Sequence, residues 1–369
     1  MIKSNQRTGG PNYRVHWRVS PSFHVLELSS VACGISDLRR CGEIELEMSL
    51  QRPDDAAEHI LLLSVKELRT GQTRSIGIDH FDRSDLFCRA TLESVDVYFK
   101  RNYWKAETKS LPDHLRRKIV PAGLTFACRT EHSETLLLRA ALMALWNRLG
   151  QRSKFSLTLS FSRLRWDLLQ MLGFLKASDW ERAEGDTARK RIVFQTRVYG
   201  SDEVVDRSDV NASRIALVRA LRREFGSPET IGLLDCPPAR ELAPDAVLSP
   251  KVRRARYAGQ LRTSVVAVNS HGLDGSAGLK VGESLAAGCA LVSEPFHVEL
   301  PEPIVPQIHY LAFEDPEECV LRCRYLLEND EIANRMRAAN LKYYRENVRP
   351  LAMVRNLLQR AFSSTCDGF

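Results

Sequence analysis

The sequence predicts an α/β protein of two domains, the second built on a parallel sheet covered on both faces by helices. Three observations support this. The chain has 369 residues, about the size of two domains. Hydrophobic residues make up 44% and charged residues 27%, the balance of a chain with a large core rather than a disordered one. Beyond residue 190, short apolar runs alternate with stretches of helical periodicity, the pattern of strands joined by crossover helices.

Residues 1–22 read as a polar tail. Strands are expected over residues 22–28, 59–65, 73–77 and 95–99, with a polar loop at 80–85. A helix is expected over 134–149, where Leu137, Ala141, Leu145 and Leu149 share one face. Trp146, Trp166 and Trp180 fall on or near apolar stripes and are assigned to the core. Residues 180–190 are polar and aperiodic, as a linker would be. The first domain is therefore placed at 23–185, the second at 186–350, and a terminal helix and tail at 351–369.

The second half is more regular. Strands are expected at 191–196, 231–234, 264–269, 289–293 and 309–313. Helices fit 211–225, which Gly226 stops, 252–261, and 279–287, which Gly288 closes. A further helix starts where Asp315 caps, Pro316 takes the first helical position and Glu317 and Glu318 favour the positive helix end. Another helix runs from 330 to about 347. Pro350 interrupts the pattern before a last one, ending near 362.

Composition narrows the function classes. No apolar run approaches the ~20 residues of a membrane span, and residues 1–18 lack the apolar core of a secretory leader. Nine scattered cysteines, without a Cys-x-x-Cys pair, favour a reducing compartment and argue against a disulfide framework. Cys319 and Cys323, four apart on a helix, are expected to be small buried hydrophobes, because no second pair follows at metal-ligand spacing. A formal charge of +7 suits an anionic partner: nucleic acid, an anionic membrane surface or a phosphate-rich small molecule.

One segment chooses among these. Residues 265–288 run from an apolar strand through a loop with glycines at 272, 275 and 278 into a helix start. Ligands in open α/β sheets sit beyond the carboxyl ends of strands, and a helix N-terminus offers free amides and partial positive charge to a phosphate. Glycines let the backbone approach closely, Lys280 adds a full charge, and Glu283, one turn on, can accept the hydroxyls of a ribose. The competing interpretation is an ordinary tight turn followed by a solvated glutamate.

The run Gly278-Leu279-Lys280-Val281-Gly282-Glu283-Ser284-Leu285-Ala286-Ala287-Gly288-Cys289-Ala290-Leu291-Val292-Ser293 resembles the sugar-nucleotide signature of GT-B glycosyltransferases, most of all the bacterial polysaccharide and spore-coat-type enzymes. Weaker likeness extends over residues 190–350, in Phe194-Gln195-Thr196-Arg197, Asn211-Ala212-Ser213-Arg214 and Asn340-Leu341-Lys342-Tyr343-Tyr344, with a faint echo in residues 97–103. The resemblance implies two Rossmann-like domains facing a cleft and a cytoplasmic enzyme, peripheral at the inner membrane face at most. It would transfer sugar from a nucleotide-diphosphate donor to a glycan or other hydroxyl acceptor, in glycan or polysaccharide biosynthesis. It implies that Glu283 contacts ribose and that Gly275, Ser276, Ala277, Gly278 and Lys280 contact the diphosphate. Arg197, at the end of its strand, would neutralise the leaving phosphate. No cofactor or divalent metal is implied, and no Asp-x-Asp motif is present. Many retaining members carry a second glutamate where this chain has Gly275, so retention or inversion stays open.

An inverting transfer needs a base for the acceptor hydroxyl. The carboxylate-dense loop at 79–85 offers Asp79, His80 and Asp82, although polar surface loops of this kind are common. Lys100, Arg101, Tyr103 and Trp104 mix cations with aromatics and suit an acceptor patch, a membrane contact or a snorkelling strand end. His132 is a further cleft candidate. Two alternatives stand beside transfer: a sugar-nucleotide epimerase or hydrolase of the same fold, and a non-catalytic binder of RNA or anionic lipid. Nucleic acid is not expected, since no RNA-binding motif is present.

Overall fold

The computed structural model describes residues 10–51, 59–151, 155–183, 186–200, 208–250 and 252–363. Cys366 and part of the 180–190 segment lie outside them. In chain order the first part comprises β1 (Tyr13–Val19), α1 (Val25–Arg40), β2 (Ile44–Leu50), β3 (Ile60–Glu67), β4 (Thr73–Asp79), α2 (Arg89–Ser94), β5 (Val97–Lys100), α3 (Asp113–Arg116), β6 (Ile119–Pro121), α4 (Glu134–Gly150), α5 (Leu157–Gly173) and α6 (Ala177–Trp180). The second comprises β7 (Arg189–Thr196), α7 (Ser208–Phe225), β8 (Ile231–Leu233), α8 (Pro237–Leu242), α9 (Arg254–Arg262), β9 (Ser264–Asn269), α10 (Leu279–Ala286), β10 (Ala290–Ser293), β11 (Tyr310–Ala312), α11 (Pro316–Glu328), α12 (Asp330–Tyr343) and α13 (Pro350–Ser363).

The first sheet has the order β2-β1-β3-β4-β5-β6, with β3 alone running against its neighbours. The second, β11-β10-β9-β7-β8, is parallel throughout. All six residues of β9 are buried, as expected of a strand with helices on both faces. At α11, Asp315 Oδ1 accepts the Glu318 amide at 2.7 Å and Pro316 occupies the first turn, so the sequence signals act as read. Cys319 and Cys323 are fully buried in the core of the second sheet.

Helix α13 follows the second sheet in sequence but packs on the first. Met353, Val354, Leu357, Leu358 and Ala361 join the core that holds α1, and Arg355 forks onto Glu43 at 2.6 and 3.0 Å. A Cβ at Gly34 of α1 would strike the Pro350 carbonyl and the Val354 side chain, so this close approach needs glycine. The two chain crossings between the sheets lie side by side: Glu181 accepts Tyr344 Oη at 3.1 Å and pairs with Arg349 at 2.9 Å. A single turn of π-helix, Tyr344–Val348, occupies the second crossing, a place where such turns often mark function.

Several expectations need correction. Residues 1–22 are not all tail: β1 is a central strand with Val15, Trp17 and Val19 buried. Its other face, with Arg14, His16 and Arg18, made the segment look polar on average. The strand expected at 22–28 is the start of α1, because Val25, Leu28, Ala32 and Ile35 continue at helical spacing. Strand β2 and helix α5 were not anticipated. The 180–190 linker is shorter than expected, bounded by α6 and by β7 from Arg189. Trp180 is core and Trp166 packs against the core, but Trp146 is 69% exposed.

Candidate functional site

The carboxyl edges of the two sheets face each other. Just past β5, Arg101 Nη2 donates to the Ala277 carbonyl beyond β9 at 3.3 Å, and the Glu299 amide beyond β10 donates to Tyr103 O at 2.9 Å. The Trp104 and His297 rings stand 6.2 Å apart, and the Lys105 amide donates to Glu299 at 2.9 Å. This is the GT-B arrangement, with a cleft between two α/β units. Helix α10 takes part directly: Val281, Leu285 and Ala286 pack in one apolar cluster with Leu124, Phe126 and Cys128 of the first unit. A Cβ on Gly282 would lie 3.1 Å from Phe126, so glycine allows this contact.

The loop into α10 is compact. The Gly272 amide donates to Ser276 O at 2.8 Å and the Ser276 amide to Leu273 O at 3.0 Å. Between them Gly275 sits at φ +69°, a conformation other residues resist. Gly278 is the N-cap in extended geometry and its carbonyl takes the Val281 amide at 3.0 Å, so the Leu279 and Lys280 amides have no acceptor inside the helix. At the end of β9 the buried Asn269 Nδ2 is also without a hydrogen-bond partner.

Three cations gather at this edge. Lys280 Nζ is buried without a hydrogen-bond partner, 5.8 Å from the Tyr257 ring. Burial, with help from Arg214, Arg197 and Arg254, pulls its pKa down to about 7, against the opposing pull of Glu283. Arg214 on α7 is buried and donates to the carbonyls of Arg197 and His271, both at 2.8 Å, tying the end of β7 to the loop after β9. Arg197 is exposed, its guanidinium 4.9 Å from the Tyr199 ring. The site carboxylate, Glu283, is buried and held by Arg254 Nη2 at 3.0 Å. Burial pushes the Glu283 pKa up, and Arg254 and Lys280 restrain it. A buried, unpaired ammonium is costly in an empty site and is satisfied by an anion.

The expected donor residues thus share one place: Gly275, Ser276, Ala277, Gly278, Lys280 and Glu283 on the loop and α10, with Arg197 opposite. In this conformation the cleft is narrow there. A cavity of about 10 Å³ lies between Arg101, Asn102, Gly123, Leu124, Ser276 and Ala277, room for about one water molecule. A larger cavity, about 240 Å³, lies between Gly123, Glu302 and α13, away from Lys280.

The first-sheet edge is arranged differently. Asp79 is buried and accepts from the Phe81 amide at 2.8 Å, Tyr98 Oη at 2.6 Å and Lys100 Nζ at 2.8 Å. The His80 ring is buried with neither nitrogen hydrogen-bonded, and desolvation, with Arg101, lowers its pKa to about 3. Asp82 reaches the cleft and pairs with Arg101 at 2.8 Å. Lys100 is wholly buried, so it serves neither an acceptor nor a membrane. Tyr103 is buried, and Trp104 alone of that group is exposed. His132 is exposed, its carbonyl accepting from Ser36 Oγ at 3.0 Å toward the far end of α1.

Sequence reasoning missed one pair at this edge. His59, immediately before β3, sits at φ +59° with Nδ1 bonded to Glu27 Oε2 of α1 at 2.7 Å. Its ring lies 4.9 Å from Phe81 and 6.4 Å from His24. His24 itself is pulled down to about 4 by burial, its ring edge-on to Trp166 at 4.7 Å. Residues 32 positions apart form the pair, and only the β1–α1 and β3 register brings them together. Arg254 was equally hidden, as a polar position on a helix, and Arg214 stood in the resembling run 211–214 without a role.

Residues 214–359 match the family model described as glycosyl transferase-like. That segment is less than half of the chain. It contains α10, Lys280 and Glu283 and ends within α13. No curated protein matches the chain. Solved structures similar to it include a UDP-N-acetylglucosamine 2-epimerase, named as putative, from Listeria monocytogenes, at 15% identity over 75% of this chain and 61% of that one, TM-score 0.35. Another is the C-terminal domain of a group 1 family glycosyl transferase from Francisella tularensis, at 10% over 49% and 96%, TM-score 0.31. A third is the UDP-GlcNAc 2-epimerase of Neisseria meningitidis bound to UDP-GlcNAc, at 11% over 75% and 64%, TM-score 0.35. The chain spans about three fifths of the length of these epimerases.

Proposed function

We propose that the protein is a glycosyltransferase that moves a sugar from a nucleoside diphosphate to an acceptor hydroxyl. The observation that carries this reading is the buried, unpartnered Lys280 ammonium at the head of α10, beside Arg197 and Arg214. A diphosphate seated there meets free helix amides and full positive charge. As the anomeric carbon–oxygen bond breaks, negative charge grows on the leaving phosphate, and groups already oriented toward it lower the barrier. Glu283 would accept the ribose hydroxyls, exchanging its present bond to Arg254. The cleft must widen to admit the donor, and the paired crossings at Glu181 are the hinge.

The acceptor oxygen bonds to the anomeric carbon and gives up its proton at the first-sheet edge. Asp82 and the His59–Glu27 pair reach solvent there; Asp79 and His80 support the loop from behind. The test combines donor binding with product analysis on a panel of nucleoside-diphosphate sugars. Sugar transfer that needs an acceptor, lost in Asp82→Asn or His59→Gln while donor still binds, supports the reading. Turnover unchanged in both variants removes those residues as bases, and nucleotide release or epimerisation indifferent to any acceptor replaces transfer with hydrolysis or epimerisation.

A further inference from the structure

Half of the large exposed apolar side chains of the described residues lie on two adjacent helices, α4 and α5. On α5, Leu157, Phe161, Leu169 and Leu172 recur at helical spacing on one outward face, and Leu172 is 83% exposed. On α4, Leu138, Leu142 and Trp146 do the same. The helices pack side by side, so the two stripes form one surface. Such a patch is unusual on a soluble monomer and signals an interaction.

On the two helices themselves the charge is one-sided. Arg139 and Arg165 are exposed among the apolar residues, and Arg163 lies 5.2 Å from the Trp166 ring. The helices carry two acids. Glu134 is taken by Arg129, and Asp167 is buried with Oδ1 accepting the Val25 amide at 3.3 Å. Among the described residues the surface therefore offers leucine, phenylalanine, an exposed tryptophan and arginine, with no free carboxylate. A second copy docked by a twofold axis would set arginine against arginine with nothing to neutralise them. An anionic lipid surface supplies the missing charge, and its headgroup boundary accepts leucine, phenylalanine and tryptophan. Among the described residues no helix is long and apolar enough to cross a membrane, so the contact lies on the bilayer.

We propose that the outer face of α4 and α5 docks the protein on an anionic lipid bilayer. The patch adjoins the first-sheet edge of the cleft, since Trp166 of α5 packs on His24 and Asp167 holds the start of α1. Docking brings that edge to the headgroup layer. The inference stands apart from the transferase reading, because lipid binding is measured without any donor.

The experiment is co-sedimentation of the full chain with vesicles of phosphatidylcholine alone or mixed with phosphatidylglycerol, at low and high salt. The wild type should bind the mixed vesicles at least about tenfold better than phosphatidylcholine, and salt should weaken the binding. Leu169→Asp with Leu172→Asp should lose about tenfold or more, and Arg139→Gln with Arg165→Gln should lose the preference for phosphatidylglycerol. These side chains are exposed, so melting temperature and circular dichroism should match wild type and separate lost docking from lost folding. Wild type that binds neither vesicle, or variants that bind as wild type does, would overturn the proposal. So would a concentration-dependent dimer that Leu169→Asp with Leu172→Asp turns into monomer, since the patch would then belong to a second copy.

Discussion

The two edges of the cleft are built on opposite principles. On the first, the buried carboxylate of Asp79 meets three donors and the ammonium of Lys100 meets two acceptors, so this ion pair is satisfied within the fold, and the unbonded His80 ring beside it is uncharged at neutral pH. On the second, Lys280 Nζ, Arg214 Nε and Asn269 Nδ2 are buried without hydrogen-bond partners. Native proteins rarely leave such groups unpaired without a functional reason. The difference teaches that the charges of the first edge are paired within the fold, while those of the second are left open to the anionic ligand proposed above.

That contrast can be broken most forcefully at Asp79. Removing its charge in Asp79→Asn strands the Lys100 ammonium in the interior, which should cost about 3–5 kcal/mol of stability in urea unfolding. A loss under about 1 kcal/mol would show that the pair is not the internally satisfied unit described. Gly282→Ala places a methyl 3.1 Å from Phe126 and should cost about 1–3 kcal/mol through the apolar contact that seats α10 on the first unit. An unchanged melting temperature would mean that the two units do not pack tightly there.

Acid sharpens the comparison further. The pKa values of His80 and His24 fall to about 3 and about 4 in the fold, below the ordinary 6.5. Between those values the unfolded chain binds more protons, so stability is lost as pH falls from about 6.5 toward 4. His80→Phe should flatten that limb by about 1.4 kcal/mol per pH unit, read from denaturation at several pH values. The second edge responds in the opposite range. Lys280 titrates near 7, so its charge is present below that pH. Diphosphate affinity should weaken as pH rises above about 7, by up to about tenfold per unit, and Lys280→Arg should abolish the trend.

Much of the second unit was legible in the sequence because its strands are continuous apolar runs and its helices carry their own start and stop signals, such as Asp315 and Gly288. The loop into α10 could be read for the same reason: its residues are local. The first unit was less legible because its signals are long-range. Strand β1 alternates charged and apolar residues and resembles a tail until Trp17 is paired with Leu63. The His59–Glu27 pair depends on that pairing, and Trp146 sits one position away from an apolar stripe whose neighbours are core. Local patterns fix the elements, but which face meets solvent depends on what packs across the chain.

The central claim rests on the anion that Lys280 awaits, and calorimetric titration of UDP, GDP and ADP into wild type and Lys280→Met tests it most directly. The account predicts that at least one diphosphate binds wild type and loses about 3 kcal/mol or more, over a hundredfold in affinity, in the variant. The ligand-free variant should at the same time melt higher, because a buried unpaired charge has gone. Equal affinity in both proteins, or no binding of any diphosphate to wild type, would contradict it.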